Sequence, residues 1–241
     1  MKTALQLFSV RDACETKEDF LRTLKEVRGQ GYDGVEFAGY HGLTAPELKA
    51  ALQELELTPV ASHESLDRLE NELNDVLEYN RKIGNRNIVC AYSPADSGEN
   101  LQRLRRVLQS AQKTAQKCGM NVFYHNHSHE LAPVNGKIPL DVIKEYCMLE
   151  LDTYWLFNAK IDVCSYMKAN ASRIGLIHLK DGGLNADPCT IGEGKNDIQG
   201  IIDTAKEIGR EWLIVENDNP KPDGLSDSAR SIHNLKTKYK I

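Results

Sequence analysis

Short apolar runs and longer amphipathic stretches alternate along the whole chain. Thr3–Val10 reads as a first strand, and Phe20, Leu21, Leu24 and Val27 then recur at helical spacing behind Thr16 as N-cap, with Asp19 three residues on. Gly29 and Gly31 stop that helix, and Gly34-Val35-Glu36-Phe37 predicts the next strand. Thr44-Ala45-Pro46 opens a second helix carrying Leu48, Ala51, Leu52 and Leu55, followed by a strand over Thr58–His63. Leu66, Leu69, Leu73, Val76 and Leu77 mark a third helix ending near Gly84, before a strand at Asn87–Tyr92. Leu101, Leu104, Leu108, Ala111 and Ala115 mark a fourth, ended by Gly119 before the strand Met120–Phe123. Helices over Pro139–Tyr146, Asp162–Ala171, Asp197–Ile208 and Ser226–Lys238 are then interleaved with strands at Leu149–Asp152, Ile174–His178 and Trp212–Glu216.

Alternation of this kind, repeated about eight times without a linker, is the pattern of a parallel β/α architecture. Eight units in 241 residues fit one (β/α)8 TIM barrel, class α/β, over residues 1–241 as a single catalytic domain. No GxGxxG follows the first strand, which argues against a dinucleotide-binding sheet.

Composition narrows the partners. The chain is 41% hydrophobic and 27% charged with a formal net charge of −5, and it has no basic run suited to a phosphate backbone, so nucleic acid is not expected. No apolar run has transmembrane length, the N-terminus lacks a signal-peptide core, and an anionic membrane surface is disfavoured by the charge. Cys14, Cys90, Cys118, Cys147, Cys164 and Cys189 contain no CxxC pair and read as reduced thiols. A cytoplasmic protein is expected, and the sequence is compatible with a homo-oligomer.

The chemistry gathers at the ends of the predicted strands. Tyr124-His125-Asn126-His127-Ser128-His129-Glu130 places three histidines and a carboxylate directly after a strand, and later strands end in Asp152, His178 and Glu216. In a TIM barrel these ends, with Gln6, Glu36 and His63, converge on one mouth. Each has a purely structural alternative: Glu36 pairing with an arginine, His63 capping a helix, His129 solvated in a loop. His233, in the final helix, is expected at the surface. Carboxylates buried at apolar strand ends need a counter-charge, and a divalent cation shared by Asp152, His178 and Glu216 supplies one.

At these residues the chain resembles the xylose isomerase-like TIM barrels, and within them the sugar phosphate isomerase/epimerase group with a His-Asn-His segment. The resemblance runs through Leu5–Arg11, Gly31–Glu36, Ser62-His63, Tyr124–His127, Leu151–Trp155, His178–Asp181, Gly192–Gly194 and Val215–Asp218. It implies one divalent metal ion, most often Mn2+, with Mg2+, Zn2+, Co2+ or Fe2+ as alternatives, and a carbohydrate substrate. Asp152, His178 and Glu216 match three of the family's four metal ligands. The register of the first, usually glutamate, is held by His125; the His-Asn-His subgroup carries its glutamate three residues after the second histidine, which assigns Glu130 as the ligand and His125 as the competing choice.

The activity so implied is isomerisation or epimerisation of a keto- or aldo-sugar, or sugar phosphate, through an enediolate. His127, His125 and His63 are the candidate acids and bases, with Glu36 opposite Glu216 as a further one. Lys180 is expected to orient a substrate oxygen, or alternatively to pair with Asp181. Gln6, Trp155 and Glu193 are expected to contact substrate, and the glycine-rich loop from Gly182 to Lys195 to cover the site. The main alternative is a metal-dependent dehydratase or β-eliminase of keto-sugars, keto-inositols or 3-keto-glycosides. An apurinic-site endonuclease and a non-catalytic sugar-binding barrel rank below both.

Overall fold

A computed structural model describes residues 1–241. Eight parallel strands close into a barrel in chain order: β1 Lys2–Gln6, β2 Gly34–Phe37, β3 Thr58–Glu64, β4 Asn87–Cys90, β5 Asn121–His125, β6 Met148–Asp152, β7 Ile174–Leu179 and β8 Trp212–Val215. The last strand pairs with the first, Ala4 opposite Ile214 and Leu5 opposite Val215, so no edge is left open. Ten α-helices surround it: α1 Lys17–Gln30, α2 Ala45–Glu54, α3 Leu66–Asn71, α4 Leu73–Ile83, α5 Gly98–Lys117, α6 Pro139–Ile143, α7 Thr153–Asn158, α8 Val163–Ala169, α9 Ile198–Glu207 and α10 Gly224–Thr237. No helix is long and apolar enough to cross a membrane.

Local chemistry sets the element ends. Thr16 and Asp19 form a reciprocal capping box at the start of α1, and Gly31 ends it in the left-handed region at φ 99°. Several elements differ from expectation. The first strand stops at Gln6, not Val10, because the Gln6 side chain accepts the Phe8 N–H at 3.0 Å and turns the chain into a 3-10 segment over Leu7–Ala13. The third expected helix is two helices, broken at Glu72, whose φ −127° and ψ 22° leave the helical region. The helix expected over Pro139–Tyr146 ends at Ile143. The short helix α7 has no counterpart in the periodicity: it starts directly at the end of β6, where Asp152 Oδ1 accepts the N–H groups of Tyr154 and Trp155 at 2.9 and 3.1 Å.

Two hydrophobic clusters divide the interior. The large one lies between strands and helices and includes Phe20, Leu24, Val35, Leu104, Leu151 and Ile201. The small one, Ala4, Val60, Ala61, Val89, Phe123, Leu176 and Ile214, draws on six strands, and residues from so many strands meet only inside the barrel. Strand side chains alternate with period two. Two positions beyond Ala4, Ala61, Phe123, Leu176 and Ile214 therefore stand Gln6, His63, His125, His178 and Glu216. The layer above the apolar plug is thus polar by the same alternation that makes the plug apolar.

Candidate active site

The polar layer is buried at the C-terminal mouth. Glu36, Glu150, Asp152, His178 and Lys180 are fully buried, and His125 and Glu216 nearly so. Glu150 Oε2 lies 2.6 Å from His63 Nε2, 3.2 Å from His125 Nδ1 and 3.1 Å from His178 Nε2. Glu36 Oε2 lies 2.5 Å from His178 Nε2 and accepts Gln6 Nε2–H at 2.7 Å. The other nitrogen of His178, Nδ1, is 3.1 Å from Glu216 Oε2. The Lys180 ammonium sits among three carboxylates, at 3.0 Å from Asp152 Oδ2, 2.6 Å from Glu216 Oε2 and 2.8 Å from Asp218 Oδ2.

Burial and charge work against each other here. Burial pushes the Glu36 carboxyl up to about 7, helped by Glu150 beside it, and pushes Asp152 up to about 6 against the pull of Lys180. Glu150 and Glu216 are also desolvated, but the neighbouring His178 and Lys180, respectively, outweigh burial and hold both well below the usual carboxylate range. His178 goes the opposite way to His125: Glu150, Glu36 and Glu216 overcome its burial and raise it well above 6.5. Burial, with repulsion from His178, holds His125 well below that value, and burial with repulsion from Lys180 lowers His127 to about 3. His125 and His127 are therefore neutral imidazoles at neutral pH, with lone pairs to offer.

Several buried polar atoms in this layer have no hydrogen-bond partner: Glu36 Oε1, Glu150 Oε1 and His127 Nδ1. Such atoms are costly to bury unless something pairs with them. His125, Asp152, His178 and Glu216 bring one donor atom each to within 4.8 Å of one another. Two imidazoles and two carboxylates suit a divalent first-row cation, so the residues present fit a metal ion.

Above this layer lies a cavity of about 480 Å3, lined by His63, His125, His127, Glu216, Glu64 and Asp218 and rimmed by Phe8 and Tyr92. The two rim aromatics are 41% and 54% exposed.

The xylose isomerase-like TIM barrel family matches residues 24–235 of the sequence. The chain belongs to that family. No curated protein matches the sequence. Among solved structures, a sugar phosphate isomerase/epimerase from Parabacteroides distasonis ATCC 8503 is similar with a TM-score of 0.84 and 20% identity, over 98% of this chain and 93% of that one. The probable 3-DHS dehydratase AsbF from Bacillus anthracis is similar at 0.78 and 13%, over 99% and 100% of the two chains. The IOLI protein with a bound zinc atom is similar at 0.77 and 17%, over 99% and 98%. At these identities the likeness shows the fold.

Within this member of the xylose isomerase-like family, the expected site residues separate into those brought together and those kept apart. Asp152, His178 and Glu216 converge. Glu130 does not join them: its carboxylate accepts Tyr124 O–H at 2.5 Å and the His127 N–H at 2.8 Å and lies 3.3 Å from His129 Nδ1, so its position is fixed by its own loop. His125 is the residue that stands with those three, and Glu130 instead groups with His127 and His129. His129, expected in solvent, is half-buried with Nε2 3.0 Å from Ser93 O, whereas His233 is exposed as expected. His63, His125 and His127 line the cavity, while Glu36 and Gln6 lie beneath it and bond to each other rather than to an arginine.

The remaining expectations on the substrate side change. Trp155 does not line the cavity; its ring lies under Lys180, with Nζ 5.4 Å from the centroid. Glu193 is exposed and faces Arg230 Nε at 3.6 Å, away from the mouth. The loop from Gly182 to Lys195 contributes nothing to the cavity lining and is pinned beside α7, where Tyr154 O–H donates to Gly183 O at 2.8 Å. Lys180 pairs with Asp152, Glu216 and Asp218, not with Asp181. Asp181 instead accepts four backbone N–H groups, from Gly182 and Asn196 on Oδ1 and from Gly192 and Gly194 on Oδ2. The glycine-rich turn that resembles a phosphate cradle is filled by the protein's own carboxylate.

Glu150, Phe8 and Tyr92 escaped sequence reasoning. Glu150 carried a readable signal, since Met148, Glu150 and Asp152 occupy alternate positions of one strand and so share its inward face. Phe8 and Tyr92 carried none, because both sit in segments read as strand.

Proposed function

We propose that the protein is a divalent-metal-dependent isomerase or epimerase of an unphosphorylated sugar. The observation that carries this reading is the convergence of His125, Asp152, His178 and Glu216 beneath a cavity lined by further histidines. These four residues would hold the metal ion, which when bound supplies Lewis-acid polarisation of a substrate carbonyl. Manganese remains the expected ion, and the zinc atom bound by the IOLI protein supports metal binding in a barrel of this fold.

The chain's own groups would then move the proton. His127 lines the cavity as a neutral imidazole and can take a proton from the carbon beside a carbonyl. His63, also in the lining and raised by Glu36 and Glu150 despite its burial, can return one from another side. Return to the neighbouring carbon gives isomerisation, and return to the opposite face gives epimerisation. Lys180, locked among its carboxylates, would keep Glu216 and Asp152 oriented. Phe8 and Tyr92 would cover the faces of a sugar ring.

The substrate class follows from charge. The cavity lining contains Glu64, Glu216 and Asp218 and no lysine or arginine, an environment that repels a phosphate dianion. The lyase reading is the runner-up, supported by the two rim aromatics, which could seat the aglycone of a 3-keto-glycoside.

Incubation of chelator-treated, Mn2+-reconstituted protein with unphosphorylated ketoses in deuterated water, followed by mass spectrometry, tests the proposal. Deuterium should enter a carbon-bound position of recovered sugar with wild-type protein and fail to enter with His127→Ala. Elimination products from a 3-keto-glycoside without any such exchange would move the assignment to the lyase.

A further inference from the structure

We propose that Glu36, His63, Glu150 and His178 form a second divalent-cation site, distinct from the Asp152–Glu216 side of His178 and independent of it in Glu36, His63 and Glu150; an ion bound there would withdraw His63 Nε2 from the proton-returning role given above. Four donor atoms from four strands close a ring in which nitrogen and oxygen alternate. His63 Nε2 is 2.6 Å from Glu150 Oε2, which is 3.1 Å from His178 Nε2. His178 Nε2 is 2.5 Å from Glu36 Oε2, which is 3.3 Å from His63 Nε2. Tetrahedral ligands about 2.0–2.2 Å from one cation stand about 3.3–3.6 Å apart, so the two longer sides approach the spacing of a coordination set and the two shorter ones would have to open as an ion entered.

Hydrogen bonds account for only half of this ring. His63 can donate to Glu150 and His178 to Glu36, and those are the two short sides. The partnerless Glu36 Oε1 and Glu150 Oε1, in fully buried side chains, lie outside both of these bonds. No lysine or arginine contacts Glu36 or Glu150, whereas Asp152 and Glu216 already share the Lys180 ammonium. Glu36 and Glu150 are balanced instead by the imidazoles of His63 and His178, and a cation entering between them would replace that charge with release of their Nε2 protons. A cation can enter, because His63 forms part of the cavity wall.

The faces of His178 keep the two sites apart. Nδ1 is turned to Glu216 and Nε2 to Glu36 and Glu150, so one ring can serve both sides with different nitrogens. Two imidazole nitrogens and two carboxylate oxygens suit Zn2+, Co2+, Fe2+ or Mn2+.

Chelator-stripped protein titrated with Co2+, read by calorimetry, by visible absorption and by metal content after desalting, decides the matter. Wild type should take up two ions. Glu150→Gln should weaken one of them by at least 100-fold while the other persists, and Asp152→Asn should spare the ion that Glu150→Gln loses. His63→Gln, at a partly exposed position, gives the same readout should Glu150→Gln fail to fold. One ion per chain, bound within threefold equally by wild type, Glu150→Gln and His63→Gln, overturns the second site. A single ion lost in Glu150→Gln and His63→Gln but kept in Asp152→Asn upholds it and removes the Asp152–Glu216 assignment instead.

Discussion

Asp181 Oδ2 accepts the backbone N–H of Gly194 at 3.0 Å, thirteen residues along the chain, and a Cβ on that glycine would stand 2.1 Å from Asp181 Oδ1. The loop is therefore wound around a carboxylate, with room for no side chain at the contact. Removing the acceptor in Asp181→Ala strands four N–H groups, some of which water reaches. Each buried unsatisfied group costs about 1–3 kcal/mol, so a net loss of about 3 kcal/mol is expected. For a chain of this size that corresponds to a Tm lower by roughly 6–12 °C, measurable by calorimetry. Limited proteolysis should cut first between residues 183 and 195. Gly194→Ala should behave similarly, and an unchanged Tm in both would show that the clamp carries no stability.

Lys180 is the only ammonium in the buried layer. Lys180→Met leaves Asp152 and Glu216 without their shared counter-charge, and breaking a buried pair in this way costs about 3–5 kcal/mol. The loss should be seen in chelator. Under the proposed metal site, millimolar Mn2+ should restore more stability to Lys180→Met than it adds to wild type, because the cation then meets no competing ammonium. Thermal melts with and without Mn2+ give the comparison; equal Mn2+ effects in the two proteins would place the cation away from Asp152 and Glu216.

The barrel was legible because most strand-to-helix switches change the hydrophobic period from two to about 3.6, and Gly31, Gly84, Gly119 and Gly209 mark the returns. The strand-end residues Asp152, His178 and Glu216 were legible for the same reason, since a polar residue closing an apolar strand stands out. What remained hidden depends on side-chain direction. Glu130 and His125 lie five residues apart, and only the turn after β5, which sends Glu130 back to Tyr124 and the His127 N–H, decides between them. Gln6 ends β1 through a side-chain bond that has no periodic signature. Lys180 and Asp181 are adjacent in sequence, which suggests a pair, yet they face opposite ways into two separate networks.

Inside the barrel, Gly175 is held small by Phe123: a Cβ there would meet the Phe123 ring carbon Cε1 at 2.2 Å. Gly175→Ala should push the ring out of its position in the apolar plug and destabilise the protein by about 1–3 kcal/mol. Phe123→Leu opens space at the cost of a smaller contact area. In urea denaturation the double variant should be more stable than the sum of the two single losses predicts, a coupling expected of residues in direct contact. Strict additivity would mean that the strand moves rather than the ring.

Phe8 and Tyr92 should separate binding from folding. Both are exposed at the cavity rim, and neither belongs to a hydrophobic core cluster. Phe8 does carry the Arg11 guanidinium 4.0 Å above its ring, and that side chain also reaches Asp218 O at 2.8 Å, so Phe8→Leu is the cleaner substitution because it keeps an apolar surface under the arginine. Stability should change by no more than about 0.5 kcal/mol in Phe8→Leu and in Tyr92→Ala. If the rim covers the faces of a sugar ring, each loses an aromatic contact worth about 0.5–1.5 kcal/mol, and KM for an unphosphorylated sugar should rise roughly 3- to 10-fold with kcat nearly unchanged. A fall in kcat at constant KM would instead place these rings in the turnover step, as a cover that must close before proton transfer.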